Sequence, residues 1–264
     1  MKRSLAIFFH VFLICALFTT AWGQNNNERC MKAYNAKDYT NAYPACKEAA
    51  KQGSADAQYL LGVMYKKGEG VQQDFVEAAI WERKAAEQGN ATAQVILGDM
   101  YYFGMGVKED YAETAIWYGK AAEQGNAKAQ FELAERYFYG EGVRQDYSVA
   151  LMWYRKSAEQ GNANAQFSLG GMYEKGMGVK QDLAEALTWY GKAAKQGHAK
   201  AKTLLSELYE IDLMPDLLKV LAEAENSDSQ FELAKMYISG AGVEKNRYLA
   251  EKWLIHSILN DYKK

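Results

Sequence analysis

The sequence predicts an all-α solenoid, a stack of antiparallel helix pairs, and three observations carry that expectation. The phrase AEQGN stands at 86–90, 122–126 and 158–162, with variants AKQGS at 50–54 and AKQGH at 194–198, so five copies fall at a 36-residue step. Gln58, Gln94, Gln130 and Gln166, each preceded by alanine, keep the same step. Within each unit two apolar runs at helical spacing flank a glycine-bearing break. A fixed period built of two helices marks an array whose units bury their faces against their neighbours.

A chain of 264 residues, 49% hydrophobic and 24% charged, holds enough apolar material for a sizeable core, which excludes a disordered tail. The formal net charge is −2 and no basic cluster is present, so neither a nucleic-acid partner nor a basic membrane-surface helix is expected. Lys2 and Arg3 precede a largely apolar stretch, Leu5–Phe18, and Ala21-Trp22-Gly23 offers a small-x-small cleavage site. Residues 1–23 are therefore expected to be a signal peptide cleaved near Gly23. The stretch is shorter than the roughly 20 residues a bilayer core requires and no second one follows, so no membrane insertion is expected after cleavage. Cleavage removes two of the 31 cations and none of the 33 acids, leaving a charge of −4.

The elements follow in order. Residues 24–56 form an N-terminal capping hairpin in which Asp38, Ala42 and Ala49 are in phase with Asp74, Ala78 and Ala85. Cys30 falls on its first helix and Cys46 on its second. They are the two cysteines left after cleavage, and an even count in an exported chain favours a disulfide stapling this cap; two free buried thiols are the alternative. Residues 57–200 hold four full units. Leu61, Tyr65, Gly68, Gly70, Val71, Asp74, Ala78 and Trp81 recur as Leu97, Tyr101, Gly104, Gly106, Val107, Asp110, a Thr114-Ala115 pair and Trp117, and twice more up to Trp189. Asp74 with Glu77 reads as a capping box for the second helix, repeated at Asp110/Glu113 and Asp182/Glu185. Gly89 ends that helix and Asn90 caps the next. Residues 201–228 make a shortened unit without the glycine turn, in which Pro215 opens the second helix and Leu217 replaces the tryptophan. Residues 229–264 restore the pattern with Gln230, Leu233, Tyr237, Gly240, Gly242 and Trp253, and close in a polar cap at Asp261–Lys264.

The skeleton A-Q-x-x-L-G-x-M-Y-x-x-G-x-G-V-x-x-D, with W-x-x-K-A-A-x-Q-G-N completing it, resembles the Sel1-like repeat, a relative of the tetratricopeptide repeat. The interval from Tyr65 to Ala78 exceeds the tetratricopeptide interval by the G-x-G-V turn. The resemblance implies a right-handed superhelix with the first helix of each unit on the concave face. It also implies a protein or peptide partner. Some Sel1-like proteins are linked to penicillin binding or hydrolysis, so an envelope enzyme acting on cell-wall-derived compounds is one alternative. A secreted factor engaging host proteins is another.

No reaction chemistry stands out in the residues. The repeated G-x-G lacks a preceding strand and a third glycine, so it reads as a turn rather than a phosphate loop. His198 and His256 have no partners at metal or triad spacing, no Ser-x-x-Lys motif occurs, and Glu132 with Glu135 reads as a solvated helix face. No catalytic residue, metal or cofactor is expected. Constant columns serve packing, so recognition is sought in the columns that vary. One runs Val63, Asp99, Glu135, Gly171, Glu207 and Lys235. The pairs before the turn are Lys66-Lys67, Tyr102-Phe103, Phe138-Tyr139 and Glu174-Lys175. Asp99, Tyr102, Phe103, Glu135, Phe138 and Tyr139 are the candidate partner-binding residues, an acid and an aromatic anchor in each of two repeats. The competing reading places these aromatics in the core. The expected address is the periplasm or beyond.

Overall fold

The structure is a computed structural model describing residues 26–210, 227–240 and 243–261. The expected signal peptide, the second helix of the shortened unit with Pro215 and Leu217, Gly242, and the end of the polar cap at Tyr262–Lys264 lie outside the described residues. The described residues are helices joined by short turns, without strands: α1 (26–35), α2 (Tyr39–Lys51), α3 (Ala55–Lys67), α4 (Phe75–Glu87), α5 (Ala91–Phe103), α6 (Tyr111–Glu123), α7 (Ala127–Tyr139), α8 (Tyr147–Glu159), α9 (Ala163–Lys175), α10 (Leu183–Lys195), α11 (Ala199–Glu210), α12 (Ser227–Ser239) and α13 (Arg247–Asp261). The chain divides into two compact units. One runs to Ala129 and includes Glu141–Arg144; the other comprises Gln130–Gly140 and the chain from Gln145. Successive helices pack on each other from α2 to α6 in the first unit, and from α8 to α11 and between α12 and α13 in the second. This is the α-solenoid class, in which each helix pair buries its apolar stripe only against its neighbours in sequence.

The repeated phrase is connector chemistry. Gly89 takes a φ of 90° and Gly125 one of 87°, the left-handed backbone that glycine adopts without a Cβ penalty. Asn90 then caps α5, its side-chain oxygen accepting from the Ala93 amide at 2.9 Å. The glutamines form a second device between repeats. Buried Gln94 donates to the Ala86 carbonyl at 3.0 Å and its own oxygen accepts from Gln124 at 2.7 Å, so this AQ glutamine hooks the preceding helix and is held by the next connector. The same hook recurs at Gln58 and Gln166. These paired bonds satisfy polar groups that burial would otherwise penalise.

Capping of the second helices differs from the sequence expectation in one respect. Asp74 accepts from the amides of Val76 and Glu77 at 2.9 and 3.1 Å, but Glu77 does not reach back to Asp74. Its carboxylate instead accepts the Trp81 indole N–H at 3.2 Å, and the Asp74 amide donates to the Tyr65 carbonyl at 2.9 Å. Glu113 with Trp117 and Glu185 with Trp189 repeat the arrangement. The reciprocal box is replaced because the helix–helix turn already occupies the cap amide, freeing the glutamate for an indole four residues on. Each tryptophan is covered on its other side by a lysine, with Lys120 3.9 Å from the Trp117 ring centre and Lys192 3.8 Å from that of Trp189.

The second glycine of the turn serves stacking. Gly106 has a φ of 70°, and a Cβ there would collide with the Phe75 carbonyl at the start of α4; Gly178 meets Tyr147 in the same way. The turn of each repeat therefore rests on the second helix of the one before. At the N-terminal end Cys30 and Cys46 form a disulfide across α1 and α2. Both cysteines are fully buried with Ala42, Leu61 and Met64 in the first core cluster.

Candidate functional site

The first helix of each repeat carries the variable columns, and the structure ties the acid column to a tyrosine on the following helix. In the first unit Asp99 of α5 accepts from the buried Tyr118 hydroxyl of α6 at 2.6 Å and pairs with Lys128 at 2.8 Å. Its charge is thus answered within the chain. At the end of α5, Tyr102 meets Phe103 edge to face at 4.8 Å and leans on Tyr111 at 5.5 Å. Tyr102 is half-buried, whereas Phe103 is 65% exposed.

The equivalent residues of the second unit line a cavity. Glu135, Phe138 and Tyr139 of α7, Tyr154 of α8, and Phe167, Ser168, Gly171, Met172 and Lys175 of α9, with Met177 beyond it, enclose about 260 Å³. Gly171 opens the floor. It stands in the column of Asp99 and Glu135, and a Cβ there would meet only the Tyr190 hydroxyl at 3.5 Å. Tyr154, 1% exposed, donates its hydroxyl to the Glu135 carboxylate. Burial first, and then the adjacent Glu135 charge, raise the Tyr154 phenol far above its ordinary pKa, so the hydroxyl keeps its proton. Phe138 is half-buried, edge-on to Tyr139, Tyr147 and Tyr154, while Tyr139 is 59% exposed.

Across the flanking repeats the tyrosine–acid pair changes form. Tyr190 donates to Glu174 Oε2 at 2.7 Å, one helical turn beyond the place that Gly171 leaves empty. In the first repeat the tyrosine position is Glu82 and the acid position Val63. Glu82 is fully buried and neither of its oxygens has a hydrogen-bond partner. Burial pushes its carboxyl well above the usual carboxylate range, against a weaker opposing pull from Lys66.

The six predicted residues are thus distributed three to each unit. Glu135, Phe138 and Tyr139 converge on one cavity, while Asp99 is engaged by Lys128. Sequence reasoning passed over Tyr154, Phe167, Ser168 and Lys175. Gly171 and the Glu174-Lys175 pair stood in the columns singled out as variable, so a partial signal existed; Tyr154 carried none, and it is a core residue that also presents a hydroxyl. A larger cavity of about 580 Å³ lies on α12 and α13, lined by Tyr237, Ile238, Lys245, Arg247, Ala250 and Leu254, and no predicted site residue borders it. His198 caps α11 by accepting from the Ala201 amide at 3.2 Å and stacks on Phe167 at 4.6 Å. Among the described residues no three His, Cys, Asp or Glu side chains converge as metal ligands, and no helix is long and apolar enough to cross a membrane. The α7–α9 cavity, smaller than the roughly 300 Å³ at which small-molecule pockets begin, has room for one side chain with an apolar body and a polar tip.

Two solved structures are similar over most of the chain. A protective antigen of uropathogenic Escherichia coli strains is 36% identical with a TM-score of 0.70, covering 91% of this chain and 54% of its own. A Sel1 repeat protein of Oxalobacter formigenes is 33% identical with a TM-score of 0.61, covering 83% of this chain and 66% of its own. The chain thus spans about half and about two thirds of the lengths of these two relatives. No curated protein matches it with significance. The Sel1 repeat family matches residues 55–90, 91–126, 127–162, 163–198 and 227–256. With the helix pairs, turn glycines and connectors described above occupying those five segments, the chain belongs to the Sel1 repeat family.

Proposed function

We propose that this chain is an exported, non-catalytic protein-binding scaffold that takes a peptide or protein segment on the face carried by its first helices. Sel1 repeats generally mediate protein–protein interaction and typically act as non-enzymatic scaffolds. The observation that supports the finer reading is the α7–α9 cavity. It places an acid and exposed aromatic surface in variable columns, whereas the constant columns are engaged in hooks, caps and stacking. The buried disulfide supports an oxidising compartment, hence the periplasm or beyond.

The test is crosslinking capture from an envelope extract, with the disulfide-bonded chain as bait against a bait carrying Phe103→Ala and Tyr139→Ala. These two rings, one in each unit, are the exposed ones among the six candidate residues, so their loss leaves the core intact. A protein retained by the intact bait and lost by the variant is the expected result. Equal capture by both baits, or none by either, would overturn the proposal.

A further inference from the structure

Asp99 and Glu135 occupy equivalent positions one repeat apart, and each accepts a tyrosine hydroxyl from the following helix. They differ in what answers their charge. Lys128, at the start of the next first helix, reaches back to Asp99 at 2.8 Å. The residue 36 positions on from Lys128 is Asn164, which is exposed and uncharged. Among the described residues no lysine, arginine or histidine lies within ion-pair distance of Glu135. The cavity opens at this same place, because Gly171 and Ser168 withhold side-chain volume.

We infer that the occupant of the α7–α9 cavity is a lysine or arginine side chain of a partner polypeptide, whose cationic tip takes at Glu135 the role Lys128 takes at Asp99. The inference rests on the protein-binding reading above and names the chemistry of the partner residue. Two features of the walls favour a cation over other occupants. Phe138 and Phe167 line the cavity and supply aromatic and apolar area for its methylene stem. Tyr154 holds one edge of the Glu135 carboxylate and, as a neutral phenol, leaves its negative charge in place. The cation that lines the cavity, Lys175, is exposed and not paired with Glu135, so solvent screens its repulsion.

The protein supplies its own control. Asn164→Lys restores the internal cation of the preceding repeat and fills the place of the partner's. Glu135→Gln keeps an acceptor for Tyr154 and removes the charge. The experiment is selection of a random short-peptide library on the full disulfide-bonded chain, followed by binding titrations of the selected peptides to both variants. The expected outcome is enrichment of peptides with a lysine or arginine beside an apolar residue. Their affinity falls at least about tenfold with Glu135→Gln and with Asn164→Lys, and about tenfold again when the basic residue is replaced by norleucine. Peptides that bind, compete at the cavity and show no basic residue, or carry an acid directed at Lys175, would overturn the inference while leaving the protein-binding reading standing. A library that yields no binder would overturn both.

Discussion

Glu82 offers a quantitative test of the repeat logic. It occupies the column of Tyr118, Tyr154 and Tyr190, is fully buried, and has no hydrogen bond to either oxygen. Burial is the larger influence and raises its pKa, and Lys66 opposes it from second place. Its folded pKa therefore lies above its unfolded value of about 4.3. Below that value both states hold the proton and the carboxyl contributes no slope. Above it the unfolded chain releases the proton while the folded chain retains it, so stability falls as pH rises until the folded carboxyl ionises. The slope is up to about 1.4 kcal/mol per pH unit. At about 2–4 °C per kcal/mol for a domain of this size, melting temperature falls by up to about 3–6 °C per pH unit from this group. Glu82→Gln is close to isosteric and does not titrate. The assay is thermal unfolding of both proteins from about pH 5 to about pH 8, plotted as the difference between them. The variant should gain on the parent as pH rises from the acid end of the range, and the gain should stop where the folded carboxyl ionises. Curves that stay parallel across the range would refute the assignment of Glu82 as a buried, protonated, unpartnered carboxyl.

Three further outcomes follow from the packing. Opening the Cys30–Cys46 disulfide with Cys30→Ser and Cys46→Ser releases a loop with a sequence separation of 16 and should lower stability by about 3 kcal/mol, read by urea unfolding of the parent and the variant. Phe103→Ala and Tyr139→Ala, at 65% and 59% exposure, should each change stability by under about 1 kcal/mol, whereas Tyr118→Ala removes a fully enclosed ring and should cost about 3–5 kcal/mol; the same unfolding curves separate them. Gly106→Ala forces a Cβ onto a left-handed backbone and into the Phe75 carbonyl, so it should destabilise by more than about 1 kcal/mol, while Gly119→Ala, in open space within α6, should be neutral or stabilising.

The repeat period, the helix pairs and their stops were legible in the sequence because each rests on local chemistry. Asn90 caps whatever helix follows it, and Gly89 accepts a left-handed turn in any context. The cysteine pair was legible for a similar reason, since two residues on one short hairpin have few other places to go. Features that depend on distance between residues far apart in the chain were not. Glu77 looked like the return half of a capping box, and a hydrogen bond from the Asp74 amide to the Tyr65 carbonyl across the turn left it to Trp81 instead. Tyr102 and Phe103 are adjacent in the sequence, yet α5 half-buries one and exposes the other, because residues one apart on a helix point about 100° from each other. The acid column was visible as Asp99 and Glu135, but only the fold shows Lys128 closing on Asp99 and Glu135 lining a cavity beside Gly171. Fold class and connectors are written in local propensities repeated in phase, so the order of residues is enough to settle them. Where a cavity opens, and which charge within it lacks a partner, is settled by folding, since both depend on which side chains from different repeats reach the same point in space.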